Sequence, residues 1–421
     1  MKLFLFATLL VGCYVFNCAS GFNINDVQYS VVIDAGSTGN RATAYKFNIN
    51  RKTKQFILDD GEEYVKEHGG LGTFVDPSEA AEKIKILLEK LKEKLNLPSE
   101  VLGKTPLVLK ATGGLRKLNP LHAEKILVEV RKVLQSSGFL VKGNAASIIS
   151  GVDEGIFSWF SINYISGHWG TKNFKTVVAL DLGGASTQVT FALSGKSEDP
   201  WIEDNLYTVS TSVPKAKAKV FSTSYMDLGA EAVRLAVFSH GNPEGATHLH
   251  TVCMHPDTKP SLKKFGTTLY TMYGIPHEKS TGYFDVCRNL VKEKVLHLLS
   301  PKPSPLKNES EVYAFSGFYF RFRKTGLINR EEGGQVTLED ILSSAQKACS
   351  VPNNKNPYLC LDLTYMYVLL SDGYELGPDT KVNFHQKLNG HDISWALAVA
   401  YDQLVGLRRE KIEGKVCCCI M

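Results

Sequence analysis

Beyond its first residues the chain has no apolar run long enough to cross a bilayer, which takes about 20 residues. It has no stripe of Lys and Arg, and a formal net charge of only +5, so nucleic acid is excluded as a partner. It has no Cys/His cluster at metal-ligand spacing, which excludes a zinc site. It ends without a KDEL-type retention signal. The run "KILLEKLKEKL" is charged, but it reads as the wet face of an amphipathic helix. What remains is a chain of 421 residues, 43% of them hydrophobic, enough for two domains at roughly 150 residues each.

The N-terminus differs in kind. Lys2 precedes the apolar stretch Leu3–Phe16, and "NCAS" offers small residues for cleavage near Ser20. Residues 1–20 therefore read as a secretory signal peptide, and no membrane span is expected after its removal. The cysteines agree with an oxidising compartment. Cys13 and Cys18 leave with the leader, and Cys417, Cys418 and Cys419 crowd the last residues. Four remain, and short loops pair them as Cys253–Cys287 and Cys349–Cys360, free buried thiols being the alternative. In a secreted chain "NES" makes Asn308 a glycosylation acceptor. The tail "CCCIM" has the form of a prenylation box on Cys418, but a lumenal chain does not meet the cytosolic enzyme, so a plain tail is expected.

Two stretches repeat one pattern. "VVIDAGSTGNRATAYKF" begins at Val31 and "VALDLGGASTQVTF" at Val178. Each is an apolar strand ending in an aspartate, then a knot of glycine and hydroxyl residues, then a second strand. The aspartates, Asp34 and Asp181, are 181 − 34 = 147 residues apart, about one domain. Matching Ser-Thr to Ser-Thr gives the second copy an insertion relative to the first. A Walker loop or dinucleotide fingerprint opens into a helix, and these do not. Glycines let backbone N–H groups approach a phosphate, and Ser and Thr hydroxyls add donors. A strand-end aspartate suits a hydrated divalent cation, which keeps most of its waters. Two such turns facing each other would clamp a phosphate chain and its metal between two related domains.

Helices separate the strands. Asp76, Pro77 and Glu79 open a helix with Ile84, Leu87, Leu88, Leu91 and Leu95 on one face. Asn119 and Pro120 open a second, with Gly138 after its end, and a third is expected from about Asp153. Alternating strands and helices mean α/β layering.

At this point the residues resemble a known family, the apyrases or nucleoside triphosphate diphosphohydrolases, of the actin–hexokinase superfamily. Five signatures carry the resemblance: "DAGSTGNR" (Asp34–Arg41), "KATGGLR" (Lys110–Arg116), "DEGIFSWFSINY" (Asp153–Tyr164), "LDLGGASTQ" (Leu180–Gln188), and "DGYEL" with "SWALAVAY" (Asp372–Leu376, Ser394–Tyr401). "YAFSGFYF" (Tyr313–Phe320) and "CLDLTYMYVLLSDGY" are family-like as well. The resemblance implies an α/β fold of two ribonuclease-H-like domains with the active site in the cleft between them. Residues 21–152 with 388–421 would form the first domain and 153–387 the second.

It also implies roles. Glu154 would be the catalytic base, with Asp153 beside it a helix-capping acid, and Gln188 would fix the attacking water. Ser37, Thr38 and Gly39 would hold the terminal phosphate from one side, and Gly183, Gly184, Ala185, Ser186 and Thr187 from the other. Asp34 and Asp181 would hold Mg²⁺ or Ca²⁺ through water. Thr112 and Arg116 would line the cleft, Arg116 equally serving as a structural hydrogen-bonder. Phe320 and Tyr374 would stack on the base, and Trp395 would pack. Two positions depart from the family pattern: Asn40 in place of Thr, and Gly113 in place of Ala, which adds local flexibility. The lack of a C-terminal span and the four core cysteines resemble the soluble secretory-pathway branch that prefers diphosphates. The implied activity is metal-dependent hydrolysis of UDP or GDP to the monophosphate, in the secretory lumen or outside the cell. A broad apyrase acting on ATP and ADP, a sugar or acetate kinase, an exopolyphosphatase and a non-catalytic nucleotide-binding module are the rival readings.

Overall fold

A computed structural model describes residues 27–418, apart from 171–174, 194, 196–198, 213–214, 277–281, 304–305 and 307–310. The leader, Asn308 and the last three residues lie outside the described part, as do the side chains after residue 409.

The chain opens on β1 (Val27–Ala35), whose Val31, Val32 and Ile33 are buried on both faces. Such a continuous apolar run is what a strand covered on both sides requires. It turns through residues 36–38 and returns as β2 (Gly39–Ile49), antiparallel to β1. β3 (Phe56–Leu58) and β4 (Glu63–His68) pair with opposite ends of β2. Two crossovers follow. α1 (Pro77–Leu95) and the short α2 (Ser99–Leu102) lead to β5 (Leu107–Ala111), parallel to β1. α3 (Gly113–Arg116) and α4 (Pro120–Gln135) lead to β6 (Ala146–Ile148), parallel to β5. Asp76 caps α1 by accepting from the N–H of Ser78, and Asn119 caps α4 from Leu121. Ile84, Leu87, Leu88 and Leu91 of α1 pack with Ile126, Leu127 and Val130 of α4 over Val31 and Ile33.

α5 (Gly151–Ile165) starts two residues before Asp153, because Ser150 supplies the cap. The first plan then recurs. β7 (Val178–Leu182) and β8 (Ser186–Leu193) form the hairpin; α6 (Pro200–Asp204), β9 (Leu206–Ser212) and β10 (Lys215–Met226) follow, β10 pairing with β8. After α7 (Ala230–Ser239) the strands β11 (His248–Thr251), β12 (Ser261–Phe265) and β13 (Thr268–Gly274) make a small separate sheet. α8 (Tyr283–Val295) leads to β14 (Val312–Ser316), parallel to β7. α9 (Gly317–Phe322), β15 (Gly334–Thr337), α10 (Leu338–Ser350) and α11 (Leu359–Val368) precede β16 (Lys381–Phe384), parallel to β14. The hairpin β17 (Lys387–Leu388) and β18 (His391–Asp392) ends in α12 (Trp395–Cys418).

The sheet orders can be laid side by side: β3/β4–β2–β1–β5–β6 and β10–β8–β7–β14–β16, with β9 and β15 added at the edges. Each has an antiparallel hairpin followed by two parallel strands, so the chain is a doubled α/β unit. α5 and α12 lie between the copies. Trp159 and Phe160 of α5, with Trp395, Leu397, Tyr401 and Leu404 of α12, share one core with Val32, Tyr45 and Phe47 of the first sheet and Ala179 and Val220 of the second. Disulfides Cys253–Cys287 and Cys349–Cys360 tie the end of β11 to α8 and α10 to α11, all in the second copy. Among the described residues no helix is long and apolar enough to cross a membrane.

Candidate active site

The two hairpin turns set the site. In β1–β2, Asp34 lies opposite Arg41; in β7–β8, Asp181 lies opposite Gln188. Since 41 − 34 = 188 − 181 = 7, the turns are equal in length, and the insertion expected in the second copy is not there. The closing bonds match as well: Gly36 N–H donates to Gly39 C=O at 3.0 Å and Gly183 N–H to Ser186 C=O at 2.9 Å. Ser37-Thr38 therefore corresponds to Gly184-Ala185, not to Ser186-Thr187. The N–H groups of Ser37, Thr38, Gly184 and Ala185 donate no hydrogen bond among the described residues. Amides left free on adjoining turn residues form a cradle for an anion.

The turns meet across a cleft of about 250 Å³ lined by Asp34, Ser37, Thr38, Thr112, Glu154, Asp181 and residues 183–186, among others. Glycine is required where they approach. A Cβ on Gly184 would lie 2.5 Å from Ser37 Oγ, and one on Gly113 would lie 2.9 Å from Ala185 Cβ. Gly113 thus serves close approach between the copies, which replaces the expectation of added flexibility.

Glu154 sits in the first turn of α5, buried and facing this cleft. Ser150 Oγ accepts from Asp153 N–H at 3.0 Å and donates to Asp153 Oδ2 at 2.7 Å, so Asp153 belongs to the cap and Glu154 is free of that duty. Arg116 Nη2 donates to Glu154 Oε2 at 2.5 Å, while its Nε donates to Ile149 C=O. Arg116 holds Glu154 and is not part of the cleft lining. Burial pushes the Glu154 carboxyl up to about 7, Arg116 opposing and Asp181 and Asp34 adding to the rise. Asp181 is pushed up to about 6, again mainly by burial, against hydrogen bonds from Ser316 and Ser158, the latter at 3.0 Å. Asp34 is also raised by burial, which Arg41 opposes through an ion pair of 3.0 Å.

Behind the second turn, Gln188 Nε2 donates to Ser186 Oγ at 3.0 Å and Ser224 Oγ at 2.9 Å. Its Oε1 is buried with no partner among the described residues, a poised acceptor.

Three expected contacts fail. Thr187 points away from the cleft: its hydroxyl donates to Asp181 C=O at 2.8 Å and meets Tyr374 Oη at 3.3 Å. Tyr374 is 0% exposed, enclosed in the core of the second copy, so no base can stack on it. Gly39 opens β2 in register with His68, and it is Gly36, ahead of Ser37, that lines the cleft. Phe320 is 40% exposed at the cleft edge, and its cationic neighbour is Arg323, 5.4 Å from the ring centroid. Trp395 packs in the shared core and shows one edge to the cleft.

Several lining residues escaped the sequence reading: Arg41, Lys66, Glu231 and Ser316. Ser316 has φ +56°, a strained backbone of the kind found at functional sites. The signal for Arg41 was present, since it stands in the repeated hairpin where the other copy has Gln188.

Comparisons with known proteins follow this geometry. The model of the GDA1/CD39 (nucleoside phosphatase) family matches residues 22–411. The human protein named nucleoside diphosphate phosphatase ENTPD5 is 35% identical over 392 residues, covering 90% of this chain and 88% of its own length. The mouse protein named ectonucleoside triphosphate diphosphohydrolase 6 is 31% identical over 405 residues, covering 93% of this chain and 85% of its own. In structure, a nucleoside triphosphate hydrolase from Neospora caninum aligns with a TM-score of 0.61 at 16% identity, over 89% of this chain and 92% of its own. An Aquifex aeolicus member of the Ppx/GppA family aligns at 0.51 and 13% identity, over 90% and 98%. At these identities the structural likeness is one of fold.

Proposed function

The chain belongs to the GDA1/CD39 (nucleoside phosphatase) family, and from that premise we propose that its cleft removes the terminal phosphate of nucleoside diphosphates, UDP and GDP foremost. It is an enzyme, a phosphoric anhydride hydrolase. The observation that carries the site reading is the pair of equal turns, each with free amides and a strand-end aspartate, closing on one buried glutamate.

In this reading the amides and hydroxyls of Ser37, Thr38, Gly184, Ala185 and Ser186 hold the terminal phosphate from both sides. Glu154 takes a proton from the attacking water, and Gln188 Oε1 accepts a hydrogen bond from the same water. The water oxygen bonds to phosphorus as the bridging P–O bond breaks, and the nucleoside monophosphate departs. Phe320 offers a face to the base, which tolerates more than one base. Residues 21–152 with 388–421 form one lobe and 153–387 the other, α5 and α12 crossing between them.

Hydrolysis in this family depends on a divalent cation. The donor set fits Mg²⁺ or Ca²⁺: Asp34, Asp181 and Glu154 bring three carboxylates to one cleft. Among the described residues no group of three or more His, Cys, Asp or Glu could hold a metal directly. Asp34 and Asp181 would accordingly hold a hydrated cation through its waters. When bound, such a cation neutralises charge developing on the phosphate oxygens. The two disulfides and the apolar leader suit the secretory pathway.

Phosphate release from UDP, GDP, ADP, the matching triphosphates and polyphosphate, each with Mg²⁺, Ca²⁺ or chelator, tests the proposal. UDP and GDP should give the highest kcat/KM, and chelator should stop turnover. ATP equal to UDP would make this a broad apyrase, and full activity in chelator would remove the metal role of the aspartates.

A further inference from the structure

Hydrogen-bonded register extends each hairpin outward by one strand. In the first copy the row reads Asp34, Arg41, Lys66, one residue on each of β1, β2 and β4. In the second it reads Asp181, Gln188, Ser224 on β7, β8 and β10. Residues directly opposite in a ladder project to the same face, and Asp34, Arg41 and Lys66 all line the cleft. The second row is neutral beyond its aspartate and closed by the bond from Gln188 to Ser224. The first carries two cations for one carboxylate. Arg41 is committed to Asp34, whereas Lys66 makes no ion pair among the described residues and is solvent-exposed at the cleft edge. Partial burial of this side chain and the nearby Arg41 hold its ammonium below the usual lysine range, with Asp34 opposing.

Neighbouring strands lie about 4.8 Å apart, so Lys66 stands roughly 10 Å across the sheet from the strand of Asp34. Its backbone is thus one strand further from the turn amides than that of Arg41, which places it for a phosphate that has moved outward along the row. From this row the cleft lining also runs along the strands, over Thr43 and Tyr45 of β2 and Tyr64 of β4. Hydrolysis produces such an anion: orthophosphate, of charge between about −1 and −2 near neutral pH. We propose that Lys66, beside Arg41, forms an exit subsite that binds orthophosphate after cleavage and before release. This rests on the hydrolytic reading above, of which it specifies the product side.

Inhibition of UDP hydrolysis by added orthophosphate tests it in the full-length, metal-loaded protein. Lys66→Gln should raise the inhibition constant for orthophosphate about tenfold, the size of one lost charge-assisted hydrogen bond, while Lys66→Arg keeps it. KM for UDP should move by less than about twofold, because the substrate phosphates lie on the turns. An unchanged inhibition constant in Lys66→Gln overturns the proposal. So does a parallel rise in KM, which would put Lys66 on the substrate instead. Direct titration of inorganic phosphate into the nucleotide-free, metal-loaded protein separates this from the hydrolytic reading. Weaker binding by Lys66→Gln supports the subsite even if UDP is not turned over, and equal binding by both proteins removes it.

Discussion

The two turns that face each other across the cleft have the same length and the same closing hydrogen bond, but different company. Asp34 is answered by a cation and Asp181 by an amide. Backbone shape has been kept where amides face the phosphate, since any change of length would turn those N–H groups away. Side chains one strand further out have diverged, one row gathering charge and the other hydroxyls and an amide. In the proposed mechanism a repeated element thus divides its work, with phosphate held by what is common and the water and counter-charges managed by what differs.

The largest expected effect tests whether the chemistry lies between the turns or on one of them. Glu154→Gln should lower kcat by about 10²–10⁴ while equilibrium binding of UDP is retained. Near-normal turnover by the folded variant would move the base elsewhere.

The asymmetry of charge is sharpened by comparing Asp181→Asn with Asp34→Asn in chelator. Asp181 is buried with hydroxyl partners, and its folded pKa of about 6 lies above the ordinary 3.8. A raised acid loses stability as pH climbs from its unfolded to its folded pKa and carries the whole cost above it, so at pH 7 removing the charge should stabilise the metal-free protein, by at most ~3 kcal/mol. Asp34→Asn should gain less, because it leaves Arg41 without its partner. Both variants should lose cation-dependent turnover. Equal melting temperatures would show that the arginine does not distinguish the two sites.

A third test concerns Glu154, held by Arg116 from the first copy. The base must be ionised, so kcat/KM should rise with pH along a limb set by a pKa near 7, or lower once a cation neutralises the site. Arg116 favours the ionised form, so Arg116→Met should move that limb to higher pH, with the deficit largest in acid and shrinking in alkali. A loss uniform across pH would reduce Arg116 to scaffolding. The smallest effect is Gly113→Ala. Its methyl would crowd Ala185, and overpacking of about 1 kcal/mol corresponds to roughly a fivefold drop in kcat/KM. No change would mean that the second turn yields freely.

Much of this arrangement is legible in the chain. The apolar strands ending in Asp34 and Asp181, the capped helix after Asp76 and the short disulfide loops follow from local chemistry, and the structure has each of them. What was missed depends on facing. Along a strand alternate side chains take opposite faces, so with Ser186 and Gln188 directed toward the site, Thr187 turns into the core beside Tyr374. The repeated letters Ser-Thr suggested a match two positions away from the true one. Arg41 and Lys66 become neighbours only through the pairing of β2 with β4, two segments whose register no short motif announces.

The near-contact of Gly184 with Ser37 carries a mechanical meaning. There the Ser37 and Thr38 side chains lie directly against the backbone of the second turn, so a phosphate that reaches both turns must displace them or spread the turns. Spreading them would load the shared core around α5 and α12, where Trp159, Phe160 and Tyr401 pack together. Were spreading of the turns part of each catalytic cycle, turnover would slow as solvent viscosity rises.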